Sequence, residues 1–281
     1  MSEFNKEQIT SCKEYAKTKK EEIKNTIKHL ARQPRLVVIQ IDDDPASNSY
    51  IKKKKEDCAE VGIDCIHTHI NSQTFSQEEL EKLITEYSYS EFVDGIILQL
   101  PIPQKYDLAK LKRCIQLNKD VDGMNYESPY LPCTPKGIVD WLDYNKYDLT
   151  GKNIVVIGRS NIVGRPLVNL LINKDATVTC CHSKTQFLFS HTSRADVIIS
   201  AIGQPKYFNN AYFNNPDLII DVGINRYGNN KLCGDIDKED VEDYCKDTYV
   251  TPVPNGVGLL TRIALLENIV RSVRRSIYAH R

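Results

Sequence analysis

The segment GKNIVVIGRSNIVGRPLVNLL, residues 151–171, decides the fold of this 281-residue chain. It reads as a buried strand, a tight turn that begins at Gly158, and a helix that begins at Gly164. Such a turn points backbone N–H groups and the positive end of a helix dipole at one place, where a pyrophosphate group can bind. The spacing of the glycines is not G-x-G-x-x-G, so an ordinary strand–helix turn that needs two glycines explains the segment equally well.

The next strand favours one of the two nicotinamide dinucleotides. In dinucleotide folds that select NAD, an acidic residue about 20 residues beyond the turn holds the ribose 2′-hydroxyl. Here the strand TVTCC leads into HSKT, residues 182–185, which contains hydroxyls and a cation but no acid. Arg159 in the first turn can approach the same place. This set suits a 2′-phosphate and predicts NADP, although Ser183 and Lys184 also fit a simple polar turn.

Outward from this segment, strands alternate with helices along the whole chain. The pattern predicts an α/β fold with parallel sheets covered by helices, in two series separated by a proline-containing stretch at residues 118–135. We therefore expect two α/β domains flanking a cleft that binds the ligands, the second domain being Rossmann-like and NADP-binding.

The strands and helices of these two series can be assigned from hydrophobic periodicity and turn signals. The predicted strands are Leu36–Ile41, Cys65–Ile70, Val93–Leu100, Asn153–Ile157, Thr177–Cys181, Ala195–Ala201 and Leu218–Val222. The predicted helices are Asn5–Leu30, Ser47–Val61, Gln77–Tyr87, Leu108–Cys114, Lys136–Tyr144 with Thr134-Pro135 as its N-cap and first residue, Gly164–Asn173 and Leu259–Ala279.

The run of four lysines at residues 52–55 contains one that differs from the others. On a helix with about 100° per residue, Lys54 projects into the apolar arc, whereas its neighbours in the run do not. Tyr50 precedes Lys54 by four residues and shares its face. A lysine in an apolar stripe is costly without a role or a partner, so Lys54 is a candidate proton carrier. A lysine whose stem merely crosses the core explains the helix equally well.

Further polar residues lie where ligands commonly bind. Gln99 comes at the carboxyl end of the predicted strand VDGIILQL and can hydrogen-bond a nearby lysine or a substrate carbonyl, or simply cap a loop. Asp122 can accept two parallel hydrogen bonds from an N–H/NH₂ edge such as that of a pterin, or serve as a turn aspartate before glycine. His67 and His69 share a strand face, and without a third ligand we predict a polar face and no metal site.

The composition excludes several classes of protein. Lys+Arg and Asp+Glu both number 37, so the formal net charge is zero and a nucleic-acid or membrane-surface binder is not expected. No apolar run is long enough to span a bilayer, and the polar N-terminus does not read as a signal peptide, so we expect a cytoplasmic protein. The nine cysteines contain no C-x-x-C pair, which indicates small core residues in a reducing compartment rather than a zinc site.

In order along the chain, these segments resemble the bifunctional methylenetetrahydrofolate dehydrogenase/methenyltetrahydrofolate cyclohydrolase family. The resemblance covers nearly the whole chain, and so many motifs in the family's order are highly specific. It rests on DDPASNSYIKKKKEDCAEVGI (from residue 43), DGIILQLPIP (94), KDVDGMN (119), PCTPKGIVDWL (132), GRSNIVGRP (158), HSKT (182), ADVIISAIGQP (195), IIDVGIN (219), GDI (234) and TPVPNGVGLLT (251).

The resemblance implies a function and a domain organisation. A hydride would pass from 5,10-methylenetetrahydrofolate to NADP⁺, and the methenyl product would then be hydrolysed to 10-formyltetrahydrofolate. These reactions belong to one-carbon metabolism and support purine biosynthesis. The implied domains are 1–133 plus 259–281, which binds folate, and 134–258, which binds NADP. The family also implies a homodimer whose partners are tetrahydrofolate derivatives, with no nucleic acid and no membrane.

The resemblance further implies roles for single residues. The catalytic residues would be Lys54, which handles protons above all in the cyclohydrolase step, Gln99, which hydrogen-bonds and tunes it, and Tyr50, which packs against the folate rings. Asp122 would hold the pterin edge. The other implied substrate contacts are Leu100, Pro101, Pro254 and Gly256. The implied cofactor contacts are Gly158, Arg159, Ser160, Ile162, Gly164, Ser183 and Ile224, of which Arg159 and Ser183 would bind the 2′-phosphate.

The chain departs from the family pattern at three places. Asn255, Leu259 and Leu260 replace the Gly, Pro and Met of the usual PGGVGPMT, and we expect the turn to survive because asparagine tolerates positive φ. Asp42 stands where glycine is common, and the stretch from residue 122 to 132 is shorter than usual.

Three other functions remain as alternatives. A shikimate-dehydrogenase-like enzyme would explain the cofactor domain but not the series Tyr50/Lys54, Gln99 and Asp122. A monofunctional methylenetetrahydrofolate dehydrogenase, including an NAD-dependent one, is the second alternative. A non-catalytic folate- or nucleotide-binding protein is the third.

Overall fold

The computed structural model describes residues 4–228 and 231–279, with side chains as far as Arg274. Its strands are β1 (Arg35–Ile41), β2 (Asp64–Ile70), β3 (Gly95–Leu98), β4 (Asn153–Ile157), β5 (Thr177–Cys181), β6 (Val197–Ser200), β7 (Leu218–Asp221), β8 (Asn225–Tyr227), β9 (Lys231–Cys233) and β10 (Tyr249–Val250). Its helices are α1 (Cys12–Ile27), α2 (Pro45–Val61), α3 (Gln77–Tyr89), α4 (Leu108–Arg113), α5 (Cys133–Tyr144), α6 (Gly164–Ile172), α7 (Leu188–Thr192), α8 (Lys238–Tyr244) and α9 (Val257–Ala279).

The chain divides into two compact units, each with its own parallel sheet. The β1 unit comprises Thr18–Cys133 and Arg262–Arg281, and the β4 unit comprises Met1–Lys17 and Thr134–Thr261. Each unit combines two segments that are distant in sequence, so neither unit is a single stretch of chain.

The β1 unit is built on a three-stranded sheet in the order β2-β1-β3. Its central strand β1 is almost continuously apolar and buried, as expected for a parallel strand covered on both faces. Leu80 and Ile84 of α3 and Leu111 of α4 pack against one face of the sheet. Gln99, directly after β3, donates its backbone N–H to Ile39 O at 2.9 Å, which fixes that residue at the carboxyl edge.

The β4 unit is built on a five-stranded sheet in the order β10-β7-β6-β4-β5. All of its pairings are parallel, and the apolar strands β4, β6 and β7 form its centre. The predicted α/β fold with parallel sheets and a Rossmann-like second sheet is therefore confirmed. Strands β8 and β9 form a separate antiparallel hairpin.

Four predicted helices begin at different residues in the structure. Helices α2 and α9 begin at Pro45 and Val257, each two residues before its predicted start. Helix α1 begins at Cys12 and not at residue 5, because Ser11 and Glu14 exchange side chain–backbone hydrogen bonds of 3.2 Å that start a helix there. Helix α5 begins at Cys133, so the predicted N-cap at Thr134 is wrong. Pro135 is tolerated as the third residue of α5 because N–H groups of the first turn have no partner within the helix.

Several short helices and strands of the structure were not predicted from the sequence. Helices α7 and α8 have five and seven residues, and strands β8, β9 and β10 have two or three. Segments of this length contain too few residues to show a hydrophobic period. Strand β3 is also shorter than predicted, with four residues in place of eight.

The described helices include none that is both long and apolar enough to cross a membrane. All nine cysteines lie in the described ranges and are free thiols. The prediction that they are core residues holds for Cys12, Cys58, Cys133, Cys181 and Cys245, whereas Cys180 is exposed.

Candidate active site

Helix α2 of the β1 unit carries the predicted lysine. Asp44 caps this helix by accepting a hydrogen bond from Ser47 N at 2.7 Å, and Pro45 follows as its first residue. Gly62 ends the helix with a left-handed φ of 93°. Within these ends Lys54 is only 7% exposed. The predicted burial of one lysine out of four is confirmed, since the other three are exposed or half-buried.

The buried face of α2 presents Lys54 to the end of β3. Lys54 Nζ donates a hydrogen bond of 3.1 Å to Gln99 Oε1, and it lies 5.3 Å from the centre of the Tyr50 ring. Gln99 Nε2 donates to Leu100 O at 2.9 Å, which turns the amide oxygen towards the lysine. Lys54 forms no ion pair with a described carboxylate. An ammonium group in this position depends on a neutral amide and an aromatic face for its stabilisation.

The segment after Gln99 is tied to α2. Ser47 Oγ donates to Leu100 O at 3.0 Å, and the peptide bond between Leu100 and Pro101 is cis. Leu100 and Pro101 therefore directly follow the amide that contacts Lys54, at the carboxyl edge of the sheet, where open α/β sheets bind ligands.

The Tyr50 hydroxyl lies among charges contributed by several segments. Burial raises the pKa of Tyr50 to about 12, so the phenol keeps its proton at neutral pH. The positive charge of Arg262 opposes this shift, while the carboxylates of Asp122 and Asp57 add to it. Arg262 lies in α9, Asp122 in the loop before α5 and Asp57 in α2, so three segments of the β1 unit meet around this ring.

Asp122 is held in place by the residues on either side of it. The buried Asp120 carboxylate accepts a hydrogen bond of 2.8 Å from Asn125 N, and burial raises the pKa of Asp120. Gly123 takes a φ of 66°, and a Cβ there would lie 2.6 Å from the backbone of the same loop. Val121 is fully buried. Asp122 itself is half-buried, between two anchored neighbours.

In the β4 unit, the predicted glycine turn joins β4 to α6. Gly158 has a φ of 131°, and a Cβ on Gly164 would lie 2.6 Å from the carbonyl carbon of Gly158. Only glycine therefore lets α6 start this close to β4. Ser160 Oγ accepts hydrogen bonds from Val163 N at 3.2 Å and Gly164 N at 3.4 Å, and Ile162 is 41% exposed. The turn brings five of the predicted cofactor residues together at the carboxyl edge of the sheet.

The neighbouring strand β5 ends at the same edge. Gly158 N donates to Cys181 O at 2.9 Å, so the turn at residues 182–185 begins beside the glycine turn. A backbone hydrogen bond of 2.8 Å between its two ends closes this second turn. Ser183 and Arg159 are both exposed, and the turn contains no acid. Hydroxyl and guanidinium groups in two turns that contain no acid fit the 2′-phosphate of NADP better than the 2′-hydroxyl of NAD.

The other predicted site residues of the β4 unit follow β7 and β10. Ile224 is 52% exposed three residues after β7, and its Cδ1 would lie 3.5 Å from a Cβ on Gly258. Pro254 is exposed and follows a cis peptide bond. Gly256 is buried, and a Cβ there would lie 3.2 Å from the Pro252 carbonyl carbon and closer still to its oxygen.

Two departures from the family pattern keep a left-handed backbone. Asn255 has a φ of 75°, which confirms that asparagine preserves this turn. Asp42 has a φ of 56°, the region that favours glycine. Hydrogen bonding by the Ser72 side chain and by Ser72 N, the latter at 2.7 Å from the Asp42 carboxylate, lowers the pKa of Asp42 and stabilises the turn.

Asp235 is a fully buried carboxylate that is not among the predicted site residues. It accepts hydrogen bonds from Ile202 N at 2.8 Å, Gln204 N at 2.9 Å and Asn225 Nδ2 at 3.0 Å. Asp235 therefore connects the segment after β6 with the segment that follows the predicted cofactor residue Ile224.

A second buried carboxylate, Asp221, supports the first. It accepts hydrogen bonds of 2.9 Å from the backbone N–H groups of Gly223, Asp235 and Ile236, and burial raises its pKa to about 7. A Cβ on Gly223 would lie 2.5 Å from Asp235 Cγ, and one on Gly234 would lie 2.7 Å from Asp221 Oδ1. The carboxylates and glycines therefore pack as one block.

Within the described residues, no group of three or more His, Cys, Asp or Glu side chains is placed to hold a metal ion. The rings of His67 and His69 lie 6.1 Å apart on β2, and His67 Nε2 is hydrogen-bonded to Gln40 Oε1 at 2.9 Å.

The five-stranded parallel sheet, with a glycine turn and a hydroxyl-bearing turn at one edge, defines an α/β protein of the dinucleotide-binding class. The family model for the catalytic domain of tetrahydrofolate dehydrogenase/cyclohydrolase matches residues 10–122, and the model for its NAD(P)-binding domain matches residues 132–277. The chain belongs to the tetrahydrofolate dehydrogenase/cyclohydrolase family.

Individual relatives agree with this assignment. The bifunctional protein FolD of Bacillus licheniformis is 40% identical over 281 residues, covering 96% of this chain and 98% of the relative. A crystal structure of the bifunctional FolD enzyme of Campylobacter jejuni is 38% identical with a TM-score of 0.90, covering 95% of this chain and 98% of that one. The Trypanosoma brucei enzyme, solved with NADP and an inhibitor, is 26% identical with a TM-score of 0.87, covering 96% and 98%. Family membership sets the shikimate-dehydrogenase-like alternative aside.

Proposed function

We propose that this chain oxidises 5,10-methylenetetrahydrofolate to the methenyl form with NADP⁺ and hydrolyses that form to 10-formyltetrahydrofolate. The observation that carries the proposal is the buried Lys54, hydrogen-bonded to Gln99 and facing the Tyr50 ring, in a chain that matches both domain models of the family. Family membership alone would allow a dehydrogenase without hydrolase activity. A lysine placed to carry protons favours the bifunctional enzyme.

Lys54 is the group we assign to proton transfer in the hydrolysis. Water adds to the methenyl carbon and loses both of its protons as its oxygen becomes the formyl oxygen. One proton is released to solvent and one ends on the nitrogen whose bond to that carbon breaks, so a single group that can accept and then donate a proton serves this transfer. Gln99 holds the Lys54 ammonium through its amide oxygen, and its own N–H is occupied by Leu100 O. Tyr50, protonated and half-buried, offers an apolar ring face against which the folate rings would pack.

The other proposed folate contacts orient the substrate. Asp122 would accept two hydrogen bonds from the pterin N–H/NH₂ edge, a pairing that fixes both position and rotation of the ring. Leu100, Pro101, Pro254 and Gly256 would add contacts around it.

The cofactor is NADP, which supplies a hydride acceptor for the first reaction when bound. The residues present fit it: Gly158 and Gly164 allow close approach of backbone, and the turn after β5 contains hydroxyls without an acid. Ser160 and Ile162 shape the turn, and Ile224 lies exposed after β7. Arg159 and Ser183 would bind the 2′-phosphate.

Further parts of the proposal concern the whole protein. We assign folate binding to residues 1–133 plus 259–281 and NADP binding to 134–258. These boundaries differ from the two compact units, in which Met1–Lys17 and residues 259–261 belong to the β4 unit. We also assign a homodimer in the cytoplasm, where the formyl product would support purine biosynthesis. Light scattering of the purified protein, which measures its mass in solution, tests the dimer.

The activity can be tested by following two signals at once. Purified protein is mixed with 5,10-methylenetetrahydrofolate and either NADP⁺ or NAD⁺, and reduced nicotinamide and the methenyl chromophore are recorded together. We expect reduction of NADP⁺ with little methenyl accumulation. Methenyl accumulating as fast as reduction would mean a dehydrogenase alone, and binding without any reduction would mean a binding protein.

The role of Lys54 needs its own variant. In Lys54→Met we expect hydrolysis of methenyltetrahydrofolate to fall by at least about 100-fold, since general acid–base groups contribute on that order, while NADP binding persists. The exposed Lys52→Met is the matched control on the same helix. Unchanged hydrolysis in Lys54→Met would refute the assigned role.

A further inference from the structure

A buried ion-pair network lies on the same face of α2 as Lys54, and the proposed function does not use it. Asp57 Oδ1 lies 2.6 Å from Lys20 Nζ of α1, and Asp57 Oδ2 lies 2.9 Å from Arg262 Nη1 of α9. All three side chains are largely buried, with exposures of 6% for Asp57, 16% for Lys20 and 13% for Arg262. Burying three charges costs desolvation free energy, so this cluster is not explained as a solvated polar face of a helix.

The spacing along α2 places this network beside the proposed proton carrier. Tyr50, Lys54 and Asp57 follow at intervals of four and three residues, so their side chains are successive neighbours on one helix face. The charges of Arg262 and Asp57 both act on the Tyr50 hydroxyl, over whose ring the Lys54 ammonium lies at 5.3 Å. Arg262 therefore reaches the same side of α2 as Lys54.

The network has an excess of positive charge. One buried carboxylate faces two cations, and the remaining partner of Lys20 is Glu60, which is 53% exposed and hence screened by water. A negative charge close to Lys54 favours its ammonium form, and a positive charge favours its neutral form. Asp57 and Arg262 thus place charges of opposite sign around Tyr50, on the face of α2 that carries Lys54.

We propose that Asp57 and Arg262 are positioning residues of the cyclohydrolase step, whose paired charges beside Lys54 set how readily Lys54 releases its proton. The inference rests on the proposed function, in which Lys54 transfers protons during hydrolysis. Asp57 holds Arg262 near the site and partly cancels its charge. Neither residue needs to touch the substrate.

Other ionisable groups face this site and remain constant in the test. They are Lys20 of α1, Asp122 of the loop before α5, and the phenol of Tyr50. Three thiols complete the surroundings: Cys58 on α2, Cys65 on β2 and Cys133 at the start of α5.

The experiment measures hydrolysis of methenyltetrahydrofolate, without cofactor, as a function of pH and above the non-enzymatic rate. The rate of the wild type should rise with pH through a midpoint as neutral Lys54 becomes available to accept a proton. Asp57→Asn removes the negative charge and should move this midpoint to lower pH by roughly one unit. Arg262→Gln removes the positive charge and should move it to higher pH by about the same amount.

Three further variants separate electrostatics from damage to the structure. Glu60→Gln also removes a negative charge of α2 that pairs with Lys20, but it is exposed, so its midpoint should stay within about 0.3 units of the wild type. Arg262→Lys keeps the charge and should keep the midpoint. The double variant Asp57→Asn/Arg262→Gln should return towards the wild-type midpoint, because opposite shifts cancel.

The measured midpoints distinguish an electrostatic role of Asp57 and Arg262 from a purely structural one. Shifts of opposite sign that cancel in the double variant support the proposal, because a loss of packing would lower the rate in both variants without moving the midpoints apart. Shifts of the same sign, or reduced rates at an unchanged midpoint, overturn it. Should Asp57→Asn fail to fold, the comparison of Arg262→Gln with Arg262→Lys carries the test alone. A wild type that does not accelerate hydrolysis at any pH instead contradicts the proposed function.

Discussion

Replacing Gly164 by alanine tests whether the close approach of α6 to β4 creates the cofactor turn. The added Cβ would lie 2.6 Å from the carbonyl carbon of Gly158 and 2.9 Å from Arg159 Cα. Non-bonded carbon atoms are stable at about 3.5–4.0 Å, so the first turn of α6 has to retreat by roughly 1 Å. Both obstructing atoms belong to the backbone, so no side-chain rotation relieves the collision.

This displacement has a cost in stability and in catalysis. Overpacking against backbone should reduce the free energy of unfolding by about 2–3 kcal/mol. The midpoint of thermal unfolding would then fall by roughly 5–10 °C for a chain of this size. A misplacement of about 1 Å at a binding turn typically reduces activity on the order of 100-fold, so kcat/KM of the dehydrogenase reaction should fall by that factor.

The assay combines thermal unfolding with the dissociation constant of NADP, measured through the fluorescence of the reduced cofactor. Gly151→Ala is the matched control, because it also lies next to β4 but has open space where its Cβ would point. Its φ of 72° makes alanine cost about 1–2 kcal/mol, so the control should lose stability and keep its affinity for NADP. A Gly164→Ala protein with wild-type affinity and wild-type unfolding would refute the reasoning.

Three other predictions follow from single residues. Arg159→Ala should weaken NADP binding about 10- to 100-fold, the equivalent of one charge-assisted hydrogen bond, and leave NAD binding nearly unchanged in the same fluorescence titration; equal losses for both would contradict 2′-phosphate recognition. Burial raises the pKa of Asp221 from 3.8 to about 7, so between these pH values the folded state keeps a proton that the unfolded state releases. The contribution of this proton to the free energy of unfolding is therefore full below about pH 4 and is lost as pH rises to 7. In urea unfolding the stability advantage of the wild type over Asp221→Asn, which cannot titrate, should shrink by several kcal/mol across that window; a constant difference would contradict the raised pKa. Asn255→Ala should lower the unfolding midpoint by an amount equivalent to about 1 kcal/mol, because alanine tolerates its φ of 75° less well, and an unchanged midpoint would show that the turn relaxes.

The sequence predicted those parts of the site that depend on local periodicity. The rotation of α2 separates Lys54 from its neighbours by helical spacing alone, and the hydrogen bond to Gln99 follows from the position of Gln99 after a buried strand. Arg262 was not foreseen, because its pairing with Asp57 joins helices far apart in the chain. Asp57 carried a local signal, since it lies three residues after Lys54 on the same face.

Other features of the structure could not be predicted from the sequence for similar physical reasons. Asp221 and Asp235 are 14 residues apart, and nothing in their local sequence shows that both are buried and linked through backbone N–H groups. Helix α1 begins at Cys12 because a side-chain cap at Ser11 outweighs the helical propensity of the preceding residues. The left-handed backbone at Asp42 was marked only by its departure from the family's glycine.

The block formed by Gly223, Gly234, Asp221 and Asp235 has a consequence for how this protein can change. Each glycine faces a carboxylate of the block, and each carboxylate satisfies backbone N–H groups of the same segments. A side chain at either glycine collides, and a shorter side chain at either aspartate leaves buried backbone donors unmatched. In saturation mutagenesis we therefore expect nearly every single replacement at these four positions to be rejected. We expect a replacement at one of them to be tolerated only together with a change at another. Sequence variation in this part of the fold should then fall on the surrounding apolar residues.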